Sequence, residues 1–149
     1  MLVLIRHAKP QSSADFTISI SEEGRLIQKN MCKNLKKENI IPTKIFHSPL
    51  LRAEQTAHVM SDFFNVNAQK LDALGDDFQE EVIIDTLNHL PQNETVFLVG
   101  HGPSLYTFAN MLANTPCLSQ ELPRSGACVL QFAGKVATRK ATFVRTYTP

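Results

Sequence analysis

MLVLIRH, residues 1–7, is the stretch that decides the fold, because a run of five apolar residues passes directly into an arginine and a histidine. A short, continuous apolar run rich in branched side chains is typical of a strand buried on both faces of a parallel sheet. The pattern returns in TVFLVGHG, residues 95–102, where a second apolar run ends in a histidine between two glycines. We therefore expect two buried strands, each of which delivers polar residues at its carboxyl end.

Helix signals alternate with strand signals along the chain. Ser21 has the position of an N-cap, followed by Glu22 and Glu23 in the first turn. Ser48 and Pro49 have the positions of an N-cap and a first helical residue. The predicted strands lie at residues 1–5, 44–47, 68–71, 95–99, 127–132 and 138–146, the last two joined across Gly134 and Lys135 as an edge hairpin, and the predicted helices begin near Ser21, Ser48, Gln79 and Pro103.

This alternation predicts an α/β protein, a three-layer α/β/α sandwich whose mostly parallel sheet is covered on both faces. The length of 149 residues fits one domain that spans residues 1–149. Such sheets bind ligands beyond the carboxyl ends of their strands. The residues expected to reach that crevice are Arg6, His7, Ser48, Arg52 and His101.

Composition excludes several classes of protein. Fifteen Lys and Arg against fourteen Asp and Glu give a net charge of +1, which argues against a protein that coats nucleic acid or an anionic membrane. No apolar run approaches the ~18 residues of a membrane span, and residues 1–6 lack the features of a signal peptide. The three cysteines form no disulfide or metal-binding pattern, so we expect a cytoplasmic protein whose cysteines are small buried apolar residues.

Two arginines and two histidines are expected to converge at one edge of the sheet, and together they favour an anion. The guanidinium groups of Arg6 and Arg52 match the oxygens of a phosphoryl group, and helix N-termini point at the same region. Neutral imidazole is a competent nucleophile for phosphorus, and nearby arginines keep it neutral by lowering its pKa. We therefore expect phosphoryl chemistry that requires no metal and no cofactor.

Three motifs in this chain resemble the signatures of the histidine phosphatase superfamily, the phosphoglycerate-mutase-like proteins. They are LIRHA at residues 4–8, SPLLRAEQTA at residues 48–57 and VGHGPS at residues 99–104. The short chain and the middle motif are most similar to the SixA-type phosphohistidine phosphatases. The resemblance implies a phosphoglycerate-mutase-like fold and a phosphatase activity.

The resemblance also implies a role for each matching residue. His7 would be the nucleophile that becomes phosphorylated, and Arg6 and Arg52 would bind the phosphoryl oxygens. His101 would be the second pocket histidine, which contacts the phosphoryl group and stabilises the transition state. Water would then hydrolyse the phosphohistidine intermediate.

The chain departs from the family pattern at Gly102, where SixA-type proteins often have asparagine. Larger members also donate a proton to the leaving group from a carboxylate placed after the third strand. Asp76 and Asp77 fall in that stretch, Asp15 in the first loop is the rival, and water is the fourth alternative. The imidazole of phosphohistidine is displaced easily, so a strong general acid is not required for that substrate.

The sequence thus predicts a metal-independent phosphatase that acts on phosphohistidine of a partner protein. A small-molecule phosphomonoesterase of the same family is the first alternative, and a non-catalytic module that binds phosphate or a phosphoprotein is the second. A metal-dependent hydrolase with His7 and His101 as ligands would lack the clustered carboxylates that such sites recruit.

Overall fold

The computed structural model describes residues 1–12 and 18–149. The strands in these residues are β1 (Leu2–Arg6), β2 (Lys44–His47), β3 (Ala68–Lys70), β4 (Val96–Gly100), β5 (Ala127–Gln131) and β6 (Thr142–Tyr147). The α-helices are α1 (Glu22–Lys37), α2 (Leu51–Phe64), α3 (Glu80–Asn88) and α4 (Gly102–Leu112), and a short 3₁₀ helix covers Asp72–Leu74.

The strands form one sheet in the order β3-β2-β4-β1-β5-β6. Strands β3, β2, β4 and β1 pair in parallel, whereas β5 pairs antiparallel with both β1 and β6. Only β5 therefore runs against the common direction, and the prediction of an α/β protein with a mostly parallel sheet is confirmed.

Helices cover both faces of this sheet. Leu2 and Leu4 of β1 pack in a cluster with residues of α3 and α4. Val3 and Ile5 point to the opposite face and pack with residues of α1 and α2. Because successive side chains of a strand alternate between faces, the apolar residues 2–5 of β1 contribute to both cores, and the three-layer arrangement follows.

The beginnings of the first two helices test the capping predictions. Ser21 caps α1, since its hydroxyl accepts a hydrogen bond of 3.0 Å from the Gly24 backbone N–H. The prediction for the second helix is wrong, because α2 begins at Leu51 and has Leu50 as its N-cap. The Ser48 N–H still bonds to the Val99 carbonyl at 2.9 Å, so this residue continues the pairing of β2 with β4.

The C-terminal hairpin differs from its prediction in its connection. Strand β6 begins at Thr142, and residues 132–141 separate it from β5, in place of a tight turn at Gly134 and Lys135. The connection packs against the end of α4, where Ala141 bonds through its backbone to Leu112 and Asn114 at 2.9 and 2.8 Å. Those bonds hold residue 141 away from β5, while the predicted edge position of β6 is confirmed.

The carboxyl ends of β1, β4 and β2 are neighbours at one edge of the sheet. Arg6 lies beside Gly100 in the register of β1 and β4, and His47 lies beside Val99 in the register of β2 and β4. The residues that follow these three strands therefore share one hollow. In the described ranges, every helix is too short or too polar to cross a membrane.

Candidate active site

His7 follows β1 and is buried, with 6% of its surface exposed. Its Nδ1 lies 2.9 Å from the Ala8 carbonyl oxygen, and its Nε2 lies 3.2 Å from the Nε of Arg52. A carbonyl oxygen only accepts hydrogen bonds, so Nδ1 carries the proton, and the Arg52 N–H donates to Nε2. His7 is therefore held as a neutral imidazole with its lone pair on Nε2.

Thr56 fixes the distance between His7 and Arg52. Its hydroxyl accepts a hydrogen bond of 2.9 Å from the Ala8 N–H and donates one of 2.6 Å to the Arg52 carbonyl. Thr56 is fully buried one turn along α2 from Arg52, so it connects the segment after β1 to the first turn of this helix. Two residues that are 45 positions apart in the chain are thereby kept within hydrogen-bonding distance.

His101 precedes α4 and lies against His7, with their ring centroids 5.3 Å apart. Its Nε2 forms a hydrogen bond of 2.8 Å with the Ser48 hydroxyl, and its buried Nδ1 has no partner among the described residues. Ser48 is completely buried, and its hydroxyl also accepts from the Leu50 N–H at 3.3 Å. The side chain predicted to cap a helix instead orients the second histidine.

Arg6 is held at one end of its guanidinium by the segment before β5. Its Nη1 donates to the Leu122 carbonyl at 2.7 Å and lies 3.5 Å from the Glu121 carboxylate. A Cβ on Gly102 would contact the Glu121 carboxylate and would lie 2.8 Å from Cζ of Arg6. The glycine at position 102 thus leaves room for this ion pair.

Burial and neighbouring charge keep both histidines uncharged. Burial lowers the pKa of His7 from 6.5 to about 4, and the electrostatic effects of the neighbouring His101, Arg52 and Arg6 add to this shift. Burial also lowers the pKa of His101 from 6.5 to about 4, assisted by Arg52 and Arg6. The arginines lower the pKa of both histidines as predicted, although burial contributes more to the shift than their charge does.

The three candidate aspartates are placed differently. Burial lowers the pKa of Arg52 and of His101. The negative charge of Asp76 raises both pKa values, which places Asp76 near the two basic side chains. Asp77 accepts a hydrogen bond of 3.2 Å from the Gln79 side chain on the exposed surface. Asp15 lies outside the described residues.

The structure thus brings together His7, Arg52 and His101 by direct contact, and places Arg6 beside them at the end of β1. The sequence analysis did not identify Glu121, and it predicted that Ser48 caps α2, whereas its hydroxyl bonds to His101. Glu121 carries no motif that marks it, because its partner Arg6 is 115 positions away in the chain. Among the described residues, no group of three or more His, Cys, Asp and Glu side chains could hold a metal ion.

The cysteines lie in or against the two apolar cores. Cys32 and Cys128 are buried and Cys117 is half-buried, and all three are free thiols. Burial raises the pKa of Cys32 to about 12 and raises the pKa of the other two thiols as well. Their high pKa values suit the predicted role as small apolar residues.

Known proteins resemble this chain in sequence and in fold. The family model described as the histidine phosphatase superfamily (branch 1) matches residues 2–80, which contain Arg6, His7 and Arg52. No curated protein matches the sequence. Several solved structures match the whole fold.

One of these structures is the protein histidine phosphatase SixA complexed with tungstate. It has a TM-score of 0.81 and 20% sequence identity, covering 99% of this chain and 96% of that one. A phosphoserine phosphatase from Entamoeba histolytica has a TM-score of 0.75 and 14% identity, covering 99% and 96%. A mycobacterial glucosyl-3-phosphoglycerate phosphatase has a TM-score of 0.72 and 17% identity, covering 95% of each chain. These likenesses show the phosphoglycerate-mutase-like fold.

Proposed function

The chain belongs to the histidine phosphatase superfamily and is a phosphatase, and from this premise we propose that it hydrolyses phosphohistidine of a partner protein by way of a phosphorylated His7. The observation that carries the proposal is the hydrogen bonding of His7. Its Nδ1 proton is committed to the Ala8 carbonyl, which leaves the lone pair on Nε2. That nitrogen is the atom that can attack phosphorus.

The reaction has two steps. In the first, the Nε2 lone pair of His7 forms a bond to phosphorus while the bond from phosphorus to the substrate imidazole breaks. The departing electron pair stays on the imidazole nitrogen, which takes a proton from an acid of the site or from water. In the second step, a water oxygen attacks phosphorus and the bond to Nε2 breaks. Inorganic phosphate leaves with the two protons of that water, and the imidazole of His7 regains its lone pair. Arg6, Arg52 and His101 stabilise the charge on the phosphoryl oxygens in both steps.

The exposed surroundings of the hollow support a protein substrate. Asp76, Glu121 and Arg124 are exposed side chains around its basic residues. A phosphorylated side chain that protrudes from a partner can reach a site that opens to the surface in this way. A protein of the same fold is described as a protein histidine phosphatase, which supports the same substrate class.

A small phosphomonoester is the second candidate substrate. A glucosyl-3-phosphoglycerate phosphatase shares the fold over 95% of each chain, so this scaffold also serves phosphatases of small molecules. Rates of phosphate release from a phosphohistidine-containing protein and from a panel of small phosphomonoesters would separate the two candidates. We expect the higher kcat/KM for the phosphohistidine protein.

The nucleophile is tested with a chromogenic aryl phosphate in excess chelator. We expect turnover by the wild type, loss of turnover in His7→Ala, and unchanged turnover in His58→Ala, whose side chain is exposed on α2. Rapid quenching at alkaline pH followed by mass spectrometry should find phosphate on His7 during turnover. Phosphate binding without turnover would favour the binding module, and loss of activity on chelation would favour the metal-dependent hydrolase.

We also propose that Asp76, after it takes up a proton from solvent, donates that proton to the leaving group. It lies near Arg52 and His101, whereas Asp77 bonds to Gln79. A series of aryl phosphates with leaving groups of increasing basicity tests this role. Asp76→Asn should lower kcat about tenfold to a hundredfold for the most basic leaving groups and little for the most acidic, because general acid catalysis follows that pattern. Asp77→Asn is the matched control, and an equal loss in both variants would overturn the assignment.

A further inference from the structure

We propose that Arg124 determines substrate specificity by binding a second anionic group of the substrate, separate from the phosphoryl group. The inference rests on the proposed function, since it concerns the substrate of the same site. It concerns a residue that none of the three sequence motifs contains.

The backbone around Arg124 is fixed to the residues at the end of β1. The Leu122 carbonyl accepts from Nη1 of Arg6, and the Gly126 carbonyl accepts from the Arg6 N–H at 3.0 Å. The Ser125 N–H donates to the Arg6 carbonyl at 3.1 Å. Arg124 therefore sits in a turn, residues 122–126, that is bonded on both sides to the residue before the nucleophile.

The side chain of Arg124 adds a third guanidinium to the region. Burial lowers the pKa of Arg6 and of Arg52, and the charge of Arg124 lowers both further, so it lies within electrostatic reach of each. Arg124 is nevertheless exposed, and the two residues between it and Glu121 carry no charge.

One carboxylate near the hollow is already paired with another arginine. Glu121 forms an ion pair with Arg6, and Asp76 lies close enough to favour the charged form of Arg52. Within residues 1–12 and 18–149, no carboxylate lies within 4.0 Å of the Arg124 guanidinium. Arg124 thus repels two other cations and has no ion pair of its own in this part of the chain.

An anionic group of the substrate would offset that repulsion. The dianionic phosphoryl group is expected to bind between Arg6 and Arg52, which leaves Arg124 for a group further from phosphorus. A carboxylate of an acidic residue beside the phosphohistidine has this chemistry, and so has a carboxylate on a small phosphorylated molecule. The shared feature is a negative charge next to the phosphorylated group.

A pair of substrates isolates this contribution. Phenyl phosphate and 3-carboxyphenyl phosphate differ in one carboxylate, and the ratio of their kcat/KM values cancels effects on the phosphoryl group itself. Arg124→Gln should lower the ratio of carboxylated to plain substrate about threefold to fivefold, the size of an exposed ion pair. Arg124→Lys should keep most of the ratio, because it keeps the charge. Lys135→Gln, which changes the net charge equally beside Met1 at the opposite end of the sheet, should leave it unchanged.

Phosphohistidine peptides with glutamate or glutamine beside the phosphorylated residue distinguish the sources of the anion. A protein partner predicts that Arg124→Gln reduces the preference for the glutamate peptide. If only the aryl carboxylate pair responds, the anion belongs to a small substrate.

An unchanged ratio in both pairs would overturn the role of Arg124. Calorimetric titration of the two aryl phosphates into wild type and Arg124→Gln gives the same comparison without turnover. A protein that binds the carboxylated phosphate more tightly through Arg124 but never turns it over would refute the proposed function and leave this inference standing.

Discussion

Gly102 has no space for a side chain on the side of Arg6 and Glu121. We expect Gly102→Ala to displace the Arg6 guanidinium, because the new Cβ would lie 2.8 Å from its Cζ. The atoms in the way are the ends of flexible side chains, so the free energy of unfolding should change by no more than about 1 kcal/mol. The expected result is a loss of about tenfold in kcat/KM for an aryl phosphate, since in the proposed mechanism Arg6 binds the phosphoryl group and a displaced guanidinium would bind it less well.

Gly134→Ala is the control for this substitution. No atom lies within 4 Å of a Cβ at that position, so the kinetics should not change. The unfolding free energy should rise by about 0.5 kcal/mol, because alanine has less freedom than glycine in the unfolded chain. Equal kinetics in Gly102→Ala and the wild type would show that Arg6 does not need its present position.

Ser48→Ala tests the hydrogen bond that orients His101. The substitution removes the hydroxyl that lies 2.8 Å from Nε2 and leaves that buried nitrogen without a partner. The unfolding free energy measured in urea should fall by about 1 to 2 kcal/mol. We also expect kcat/KM to fall about tenfold, whereas the loss of a simple helix cap would reduce stability alone. Ser104→Ala, which changes a hydroxyl on α4, is a suitable comparison.

The residues of the candidate site that follow the strands could be predicted from local sequence. Arg6 ends β1, and His7 and His101 stand directly after β1 and β4, whose apolar runs identify them as buried strands. Ser48 was expected at this edge of the sheet, but its hydrogen bond to His101 and the ion pair of Glu121 with Arg6 could not be predicted. The partners are 53 and 115 positions away, and nothing local marks either pairing. A serine before a proline satisfies the rule for an N-cap as well as the requirements of a site, and only tertiary contacts decide between them.

At the scale of single elements, the turn before β5 contains a strained residue. Ser125 has a φ of 61°, in the left-handed region that disfavours residues with a Cβ. Its hydroxyl is buried without a hydrogen-bond partner among the described residues. Ser125→Gly should therefore raise the free energy of unfolding by about 1 kcal/mol in a denaturant titration.

The matched variant is Ser119→Gly, in the same connection but without a positive φ. There glycine only adds freedom to the unfolded chain, so stability should fall by a few tenths of a kcal/mol. A destabilised Ser125→Gly would mean that the hydroxyl has a partner that offsets the strain.

The elements themselves were predictable to different degrees. Strands β1 and β4 follow from their apolar runs, and α1 from its cap and first turn. The start of β6 did not follow, because residues 138–141 have strand-like neighbours in sequence but bond to the end of α4. Local pattern therefore identified the elements, whereas contacts between distant elements set several of their ends.

For the whole molecule, two buried neutral histidines make stability depend on pH. Burial lowers the pKa of His7 and of His101 from 6.5 to about 4. Between these values the unfolded chain binds more protons than the folded one, so the stabilisation is complete above pH 6.5 and is lost as pH falls toward 4. We expect these two groups to remove about 2 kcal/mol in total, after allowance for solvent screening and their mutual coupling.

Urea titrations at pH 7.5 and pH 4.5 measure this loss. The double variant His7→Gln, His101→Gln should lose about 2 kcal/mol less than the wild type over the same interval, because carboxylates elsewhere contribute equally to both proteins. His58→Gln, at an exposed position, should behave like the wild type. An identical loss in the double variant and the wild type would show that these imidazoles titrate normally in the folded protein.

The hydrogen bond from Arg52 to Nε2 of His7 has a consequence for the order of events in catalysis. In the mechanism proposed above, the lone pair that accepts this N–H is also the one that forms the bond to phosphorus, so the two uses exclude each other. Arg52 has to turn from the imidazole toward the incoming oxygens before the attack. Binding of the phosphoryl group by Arg52 and exposure of the Nε2 lone pair of His7 would then occur in the same movement. Until a phosphoryl group binds, the guanidinium would cover the nitrogen and keep other electrophiles from it.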